Sequence, residues 1–314
     1  MATEMTNNPK RAVNAPPGEE AFEVLFEEPL PPVNEFKRFM KVFLHRKVVV
    51  VGLVFVIIIL VAGLFSYQIA PHDPFQINLL NNLQPPSSEF LLGTDDLGRC
   101  LLSRIIHGAR LALITGVSTV FISSAIGSVL GLVAGFAGKV VEDLIMRLTD
   151  AWLSLPPLII MMFVGVILGR GVVGIVFAVA LGMFPGYIRL VYGQVMTVKQ
   201  NDYIMASLAM GDSKMRIIFR HILPNCITPL IVTMTMSLGG AVMAEAGLSF
   251  IGLGLAPPSP AWGTMTNDGY MHLAHLPLLS LAPSAALVLL VFGFNMVGDG
   301  IRDALDPKMR GTME

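Results

Sequence analysis

Charge is scarce in this chain. Asp, Glu, Lys and Arg make up only 14% of its 314 residues, while 54% are apolar; soluble domains carry about 25% charged residues. So little charge excludes an ordinary water-soluble domain. The charges also nearly cancel, leaving a formal net charge of −1. Nothing here would neutralise a row of phosphates, so no nucleic-acid partner is expected. Cysteine is almost missing: Cys100 and Cys226 cannot build a disulfide framework, and no Cys/His set has the spacing of a structural zinc site. A phosphate-binding loop is absent too, since Gly138-Lys139 is followed by Val140 and lacks the upstream glycine. There is neither a His-Glu-x-x-His pair nor a Gly-x-Ser-x-Gly elbow. His272 and His275 stand three apart and could share a metal-binding helical face, but ordinary polar surface is the simpler reading. No catalytic, cofactor-binding or metal-binding residue is therefore expected, and with them goes enzymatic activity in this chain.

Long apolar runs are what the chain has in excess. A helix of about 20 residues crosses a bilayer core of roughly 30 Å. Hydropathy places such spans at residues 48–67, 109–136, 152–168, 172–191, 229–246 and 279–297, with Pro156-Pro157 interrupting the start of the third. The expected fold class is an all-α integral membrane protein with about six transmembrane helices. The first run starts too late and lacks the small-residue site of a cleavable signal peptide, so it is expected to remain as an anchor. Ahead of it, residues 1–34 form a Pro- and Glu-rich tail with the composition of a disordered segment. Residues 35–47 interleave Phe36, Phe39, Met40 and Phe43 with Lys37, Arg38, Lys41, Arg46 and Lys47. That pattern predicts a basic amphipathic helix on the cytoplasmic membrane surface.

Lysine and arginine set the expected orientation. With the N-terminus inside, all but Arg99, Arg104, Arg110 and Arg170 of the 21 basic residues fall on the cytoplasmic side, and none lies between Arg220 and Arg302. An even number of spans then puts the short tail 303–314 inside as well. Residues 68–108 become an extracytoplasmic loop, 109–302 a five-span core, and Cys100 and Cys226 lie on opposite sides.

Ionisable residues within the spans are rare. Gradient-driven carriers use buried carboxylates, histidines or broken helices for coupling; only Glu245 and Asp299 approach this, both near span ends, where each is equally readable as a hydrated, snorkelling carboxylate. Gly127, Gly131 and Gly135 stand four apart on the second span, extended by Ser123, and predict close helix packing. That packing is either within the subunit or at a subunit interface.

The loop 192–228, between the fourth and fifth spans, is the informative segment. Asn201 or Asp202 can cap a helix through Ile204, Met205, Leu208 and Ala209, which Gly211 can end in a left-handed turn. Asp212 or Ser213 then caps a second short helix with Lys214, Arg216 and Arg220, which Pro224 is expected to stop. A rigid helix–turn–helix lever would result, with an apolar face suited to a groove on another protein. A loop lying on the membrane surface is the alternative.

Asp202-Tyr203-Ile204-Met205-Ala206-Ser207-Leu208-Ala209-Met210-Gly211, followed by Ile217-Ile218-Phe219-Arg220-His221-Ile222-Leu223-Pro224-Asn225, resembles the coupling-loop signature of bacterial ABC-importer permeases. That signature is a Glu-Ala-Ala triplet, a glycine four residues after it and a later Leu-Pro. Gly93-Thr94-Asp95-Asp96-Leu97-Gly98-Arg99 with Ser103-Arg104 and Gly108-Ala109-Arg110, and Glu245-Ala246-Gly247-Leu248-Ser249-Phe250-Ile251-Gly252-Leu253-Gly254 with Pro257-Pro258 and Trp262-Gly263, resemble the second permease subunit of dipeptide, oligopeptide and nickel importers. The resemblance runs from about residue 36 to 309. It departs at Met205, where the family has glutamate, at Ser207, where it has alanine, and at Cys100, where relatives have aspartate.

The resemblance implies a type I ABC-importer permease bundle that pairs with a homologous second permease. The translocation path would lie between the two, with two ATP-binding subunits below and an extracytoplasmic substrate-binding protein above. ATP and Mg would be bound on the partner subunits, with no cofactor in this chain. Ala206, Ser207, Leu208, Gly211, Arg216, Arg220 and Pro224 become the candidate ATPase-coupling residues. In that set Gly211 makes the turn, Leu208 and Ala206 fill the groove, and Arg216 and Arg220 face acidic rims. Residues 247–277 either shape the outer mouth of the pore or receive the binding protein, or merely connect; Glu245, Trp262 and Asp268 are the candidates at that mouth. Di- or oligopeptides are the expected substrates, with nickel or another small solute as the alternative. Two other classes compete: a gradient-driven carrier, and a membrane-embedded hydrolase, which would need a catalytic pair that no span contains.

Overall fold

The computed structural model describes residues 35–305, and among them every regular element is helical. The predicted tail 1–34 and residues 306–314 of the predicted C-terminal tail lie outside the described residues. Helix α1, Glu35–His45, is amphipathic. Phe39 stacks on Phe43 with centroids 5.7 Å apart, and Val42 and Phe43 are buried against Val49 and Ala304. At Arg46 the backbone becomes extended, which separates α1 from α2, Lys47–Leu64, and the Arg46 guanidinium pairs with Asp303 at 2.5 Å. α2 is apolar on all sides and most of its large side chains are exposed, as lipid contact requires.

Five continuous helices are long and apolar enough to cross a membrane. They are α2, α3 (Leu101–Phe136), α6 (Val172–Lys199), one helix running from Lys214 to Phe250, and α11 (Leu278–Leu305). Where a sixth span was expected there is a bent helix pair, which is either one broken span or a re-entrant loop. α4, Lys139–Leu153, and α5, Pro157–Leu168, meet at 93°. A single helix 152–168 was expected, but the consecutive prolines bias Leu155 and Pro156 away from helical geometry and withhold two backbone donors. Trp152 consequently belongs to α4, where its Nε1–H donates to Leu181 O at 3.0 Å. α5 alone, about 18 Å long, falls short of the hydrocarbon thickness.

Four helices outrun their hydropathy, the one from Lys214 to Phe250 among them. α3 begins at Leu101, eight residues before 109, because the preceding turn is closed by Asp95: its Oδ1 accepts from Leu97 N and Arg99 N, and its Oδ2 from Arg99 Nε. α6 continues to Lys199, where Nζ donates to Gly135 O at 2.9 Å and lies over the Phe136 ring. α11 reaches Leu305, with Arg302 in its last turn. Hydropathy marks the lipid-crossing stretch; helices persist beyond it wherever polar ends find partners.

The glycine stripe joins α3 to α6. A Cβ on Gly127 would lie 2.3 Å from Tyr187 Cβ, one on Gly131 2.9 Å from Ile188 O, and one on Gly135 2.4 Å from Val195 Cγ1. The close approach is thus within this chain. Ser123 continues the stripe by donating to Thr119 O of its own helix at 2.8 Å. At the opposite end of the bundle, residues 251–261 and α10, Trp262–Tyr270, fold over the start of α3. Cys100 and Cys226 are free, buried, and sit at opposite ends.

Candidate functional site

α7, Asp202–Ala209, and α8, Lys214–Ile217, form a hairpin beyond the end of α6. Asn201 occupies the N-cap position of α7 without a side-chain bond, and Asp202 complements the first turn. α7 ends in a Schellman motif: Gly211 has φ +87°, its N–H donates to Leu208 O, and Asp212 N–H donates to Ser207 O, both at 3.1 Å. No atom would lie within 4 Å of a Gly211 Cβ, so glycine is required here by the backbone angle and not by space. Ser213 caps α8, its Oγ accepting from Arg216 N at 3.3 Å.

The root of the hairpin is welded to the bundle. Ile204, Ile217 and Ile222 are buried with Val191, Val195, Val198 and Cys226, and Leu132 and Phe136 of α3 pack on that cluster. Its other side is bare: Met205 is 54% exposed, Leu208 52%, Met215 62% and Phe219 61%, with Tyr203 and Met210 beside them. Ala206 and Arg220 are exposed along the same segment.

Two expectations about this hairpin change. Pro224 does not stop the second helix. α8 passes through a π-helical turn, Ile218–Ile222, into α9, Leu223–Phe250, and the three run as one helix. Proline clashes with the carbonyl four residues back and cannot donate; the widened turn, with Leu223 N–H bonded to Ile218 O, supplies the room. Ser207 is not on the docking face either. It is 4% exposed, and its Oγ donates to Asp212 Oδ2 at 2.5 Å. Arg216 donates to Asp212 Oδ1 at 2.7 Å, so this arginine already has an acidic partner in its own chain. The Ser207 hydroxyl, then the Arg216 guanidinium, hold the Asp212 carboxyl below its ordinary value of 3.8. Sequence reading considered Asp212 only as a cap. The available signal was the Asp212–Arg216 spacing of four, one helical turn.

Beside the hairpin root, α6 and α9 border two adjoining grooves. One, of 730 Å³, is lined by Gln194, Asn225, Thr228, Thr233 and Arg302 among others; the second, of 540 Å³, by Gly186, Tyr187, Arg189, Thr233 and Ser237. Arg189 is paired with Asp150 of α4 at 2.5 Å. Amides, hydroxyls and an ion pair on the flank of a membrane bundle fit a hydrated surface better than lipid.

The three residues expected at a pore mouth do not line an open one in this chain. Glu245 is 4% exposed and accepts from Ser249 Oγ at 2.7 Å, so the hydrated, snorkelling reading fails for it; Asp299 is exposed. Trp262 is buried, donating Nε1–H to Ile105 O at 2.9 Å, with Gly108 leaving room for its ring. Asp268 lies on a small pocket with Asp96, Arg104 and His272, where desolvation, then Asp96, raises its carboxyl above the ordinary range. Arg104, which its sequence context marks only as an outer basic residue within a motif, ties this end together: it contacts Asp95 at 3.3 Å and donates to Pro74 O and Pro258 O. A Gly108 Cβ would lie 2.4 Å from Trp262 Nε1 and 2.6 Å from Pro260 O. Gly108→Ala is therefore expected to cost about 1–3 kcal/mol, seen as a lowered melting temperature of the detergent-solubilised protein.

Residues 127–311 match the family described as binding-protein-dependent transport system inner membrane component, and residues 34–86 the N-terminal TM domain of oligopeptide transport permease C. The chain is 42% identical to the di/tripeptide transport system permease protein DppC of Pseudomonas aeruginosa (strain UCBPP-PA14), over 89% of this chain and 94% of that protein. It is 37% identical to the oligopeptide transport system permease protein OppC of Bacillus subtilis, over 85% and 88%. Identity with the glutathione transport system permease protein GsiD of an Escherichia coli strain, O6:K15:H31, is 38%, over 87% and 90%. A solved inward-facing structure of the MetNI methionine ABC transporter aligns with a TM-score of 0.55 at 20% identity, over 66% of this chain and 98% of that one. At that identity the likeness speaks for the fold: an ABC-importer permease bundle. The chain is a multi-pass membrane transport subunit and belongs to the family of inner membrane components of binding-protein-dependent transport systems.

Proposed function

We propose that this chain forms one half of the pore of an ATP-driven importer of di- and oligopeptides, driven through the α7–α8 hairpin. The observation that carries the reading is the bare apolar strip on a hairpin whose root is rigidly packed. Such a strip needs a protein groove, and the sequence holds no phosphate loop of its own. The peptide substrate is supported by relatives named for dipeptide, oligopeptide and glutathione transport.

In this reading both termini and the hairpin are cytoplasmic, and residues 65–100 and 251–277 face outward. A homologous permease completes the pore and two ATP-binding subunits engage the hairpins, carrying ATP and Mg; an extracytoplasmic protein delivers the peptide. Closure of the ATPase pair would draw the hairpins together. Because α8, the π turn and α9 are one helix, that push would pass directly to a pore-lining span as rigid-body motion. The grooves flanked by α6 and α9 suit this chain's share of the translocation path: hydroxyls and amides set among apolar side chains can replace water around a peptide backbone.

Proteoliposomes test this. With the second permease, the ATPase subunits and the binding protein present, labelled peptide should accumulate only when ATP is supplied on the hairpin side. Accumulation by this chain alone, or ATP-independent accumulation, would reject the reading.

A further inference from the structure

The docking strip is split across the turn at Gly211. Tyr203 and Leu208 lie on α7, whereas Met215 and Phe219 lie on α8 and the π turn. A groove can receive both halves only if the angle between them is fixed. Ile204 and Ile217 fix it at the root, where both are buried. The tip has no such packing, since a Cβ at Gly211 would meet nothing and Met210 is 79% exposed.

Asp212 bridges that tip. Its Oδ2 accepts from Ser207 Oγ on α7 at 2.5 Å, its Oδ1 from Arg216 Nη1 on α8 at 2.7 Å, and its own N–H donates to Ser207 O. Ser207 is buried, which makes its hydroxyl dependent on this one carboxylate acceptor. These bonds join α7 to α8 at the tip, whereas the bond from Asn225 Nδ2 to Tyr203 OH at 3.4 Å ties α7 to α9 at the root.

We propose that Asp212 is a positioning residue for energy coupling: by joining Ser207 of α7 to Arg216 of α8 it fixes the angle at which the split docking strip meets the ATP-hydrolysing partner. The inference rests on the coupling role proposed for the hairpin. It also accounts for the charge that Met205 does not supply. The half-buried carboxylate of Asp212 is engaged within the hairpin, as a brace, while Met205 leaves the exposed side of α7 without a charge at that position.

The test uses the complete reconstituted importer and measures ATP hydrolysed per peptide accumulated. A loose hairpin still allows hydrolysis but transmits less of it. Asp212→Ala is expected to raise the ratio about tenfold, within the range of ordinary coupling energies, and Asp212→Glu, which keeps both acceptors, to recover most of the loss. Ser207→Ala removes one bond with a good helix former, so folding is not at risk; it should raise the ratio less, and adding it to Asp212→Ala should change nothing more. A ratio within about twofold of wild type in Asp212→Ala overturns the proposal, as does an uptake loss matched by an equal loss of hydrolysis, the mark of a merely structural defect. A wild-type complex that fails to import peptide would reject the functional reading itself, and is told apart by being tested first.

Discussion

Gly211→Val is expected to abolish peptide uptake while leaving the amount of protein in the membrane unchanged. Gly211 stands at φ +87°, a region that β-branched residues hardly enter. Holding valine there costs on the order of 1–3 kcal/mol, comparable to the bonds that close the turn. The chain will relax by giving up the Schellman motif, which releases Ser207 O and Leu208 O and disengages Asp212. The tip end of α7 then shifts about its root at Ile204, and Leu208 no longer continues the surface of Met215 and Phe219. None of the spanning helices contains Gly211, so insertion has no reason to suffer. Gly211→Asn is the control, because asparagine tolerates the left-handed region and no neighbour lies within 4 Å to obstruct it. Uptake of labelled tripeptide, normalised to membrane-fraction protein, should fall by about a hundredfold or more for valine and stay within severalfold for asparagine. Wild-type uptake by the valine variant would remove the hairpin from the mechanism.

The same hairpin shows which features were readable from sequence and which were not. The turn at Gly211 and the periodicity of α7 are local, so residue type and spacing specified them before any packing was known, and they narrowed the second cap to Asp212 or Ser213, of which the structure uses Ser213. The continuity of α9 through Pro224 was hidden because the rule that proline stops a helix assumes α geometry throughout; five residues of π turn suspend it. Ser207 was legible only as a candidate coupling residue and Asp212 only as a candidate cap, and the fold of α7 onto α8 makes one buried and the other a bridge. Glu245 and Trp262 show the reverse, burial that sequence does not display. They were candidates for the outer mouth beside the loop 247–277, and α10 and residues 251–261 cover that end and enclose both side chains within this chain. Hydropathy found the spans and could not report the bend at Pro156, because a 93° break leaves the apolar count of 139–168 unchanged. The glycine stripe was legible as close packing, yet its partner was open between this subunit and another, and three-dimensional proximity to Tyr187, Ile188 and Val195 of α6 places it within this one.

Gly127→Leu is expected to remove the folded subunit altogether. Within a bilayer, lipid tails are as apolar as leucine, so burial gives α3 and α6 little reason to associate; close contact between their backbones must do so. At Gly127 even a Cβ would sit 2.3 Å from Tyr187 Cβ and 2.9 Å from Phe184 O, and the backbone atom cannot rotate away. The helices would have to part along their whole contact, lifting Gly131 and Gly135 off Ile188 and Val195. They would also separate Lys199 from Gly135 O and unseat the cluster of Val191, Val195 and Ile204 that roots the hairpin. Overpacking at one site costs about 1–3 kcal/mol when neighbours can adjust; here the loss spreads along two helices and should exceed that. Gly193→Ala is the matched control, on α6 but with nothing within 4 Å of the added carbon, and it should be neutral or raise stability by up to about 1 kcal/mol through helix propensity. In size-exclusion profiles of solubilised membranes, Gly127→Leu should lose nearly all of its monodisperse peak and Gly193→Ala should keep it. A folded Gly127→Leu subunit would mean that α3 and α6 are not held at glycine distance, and that the hairpin's rigid root lies elsewhere.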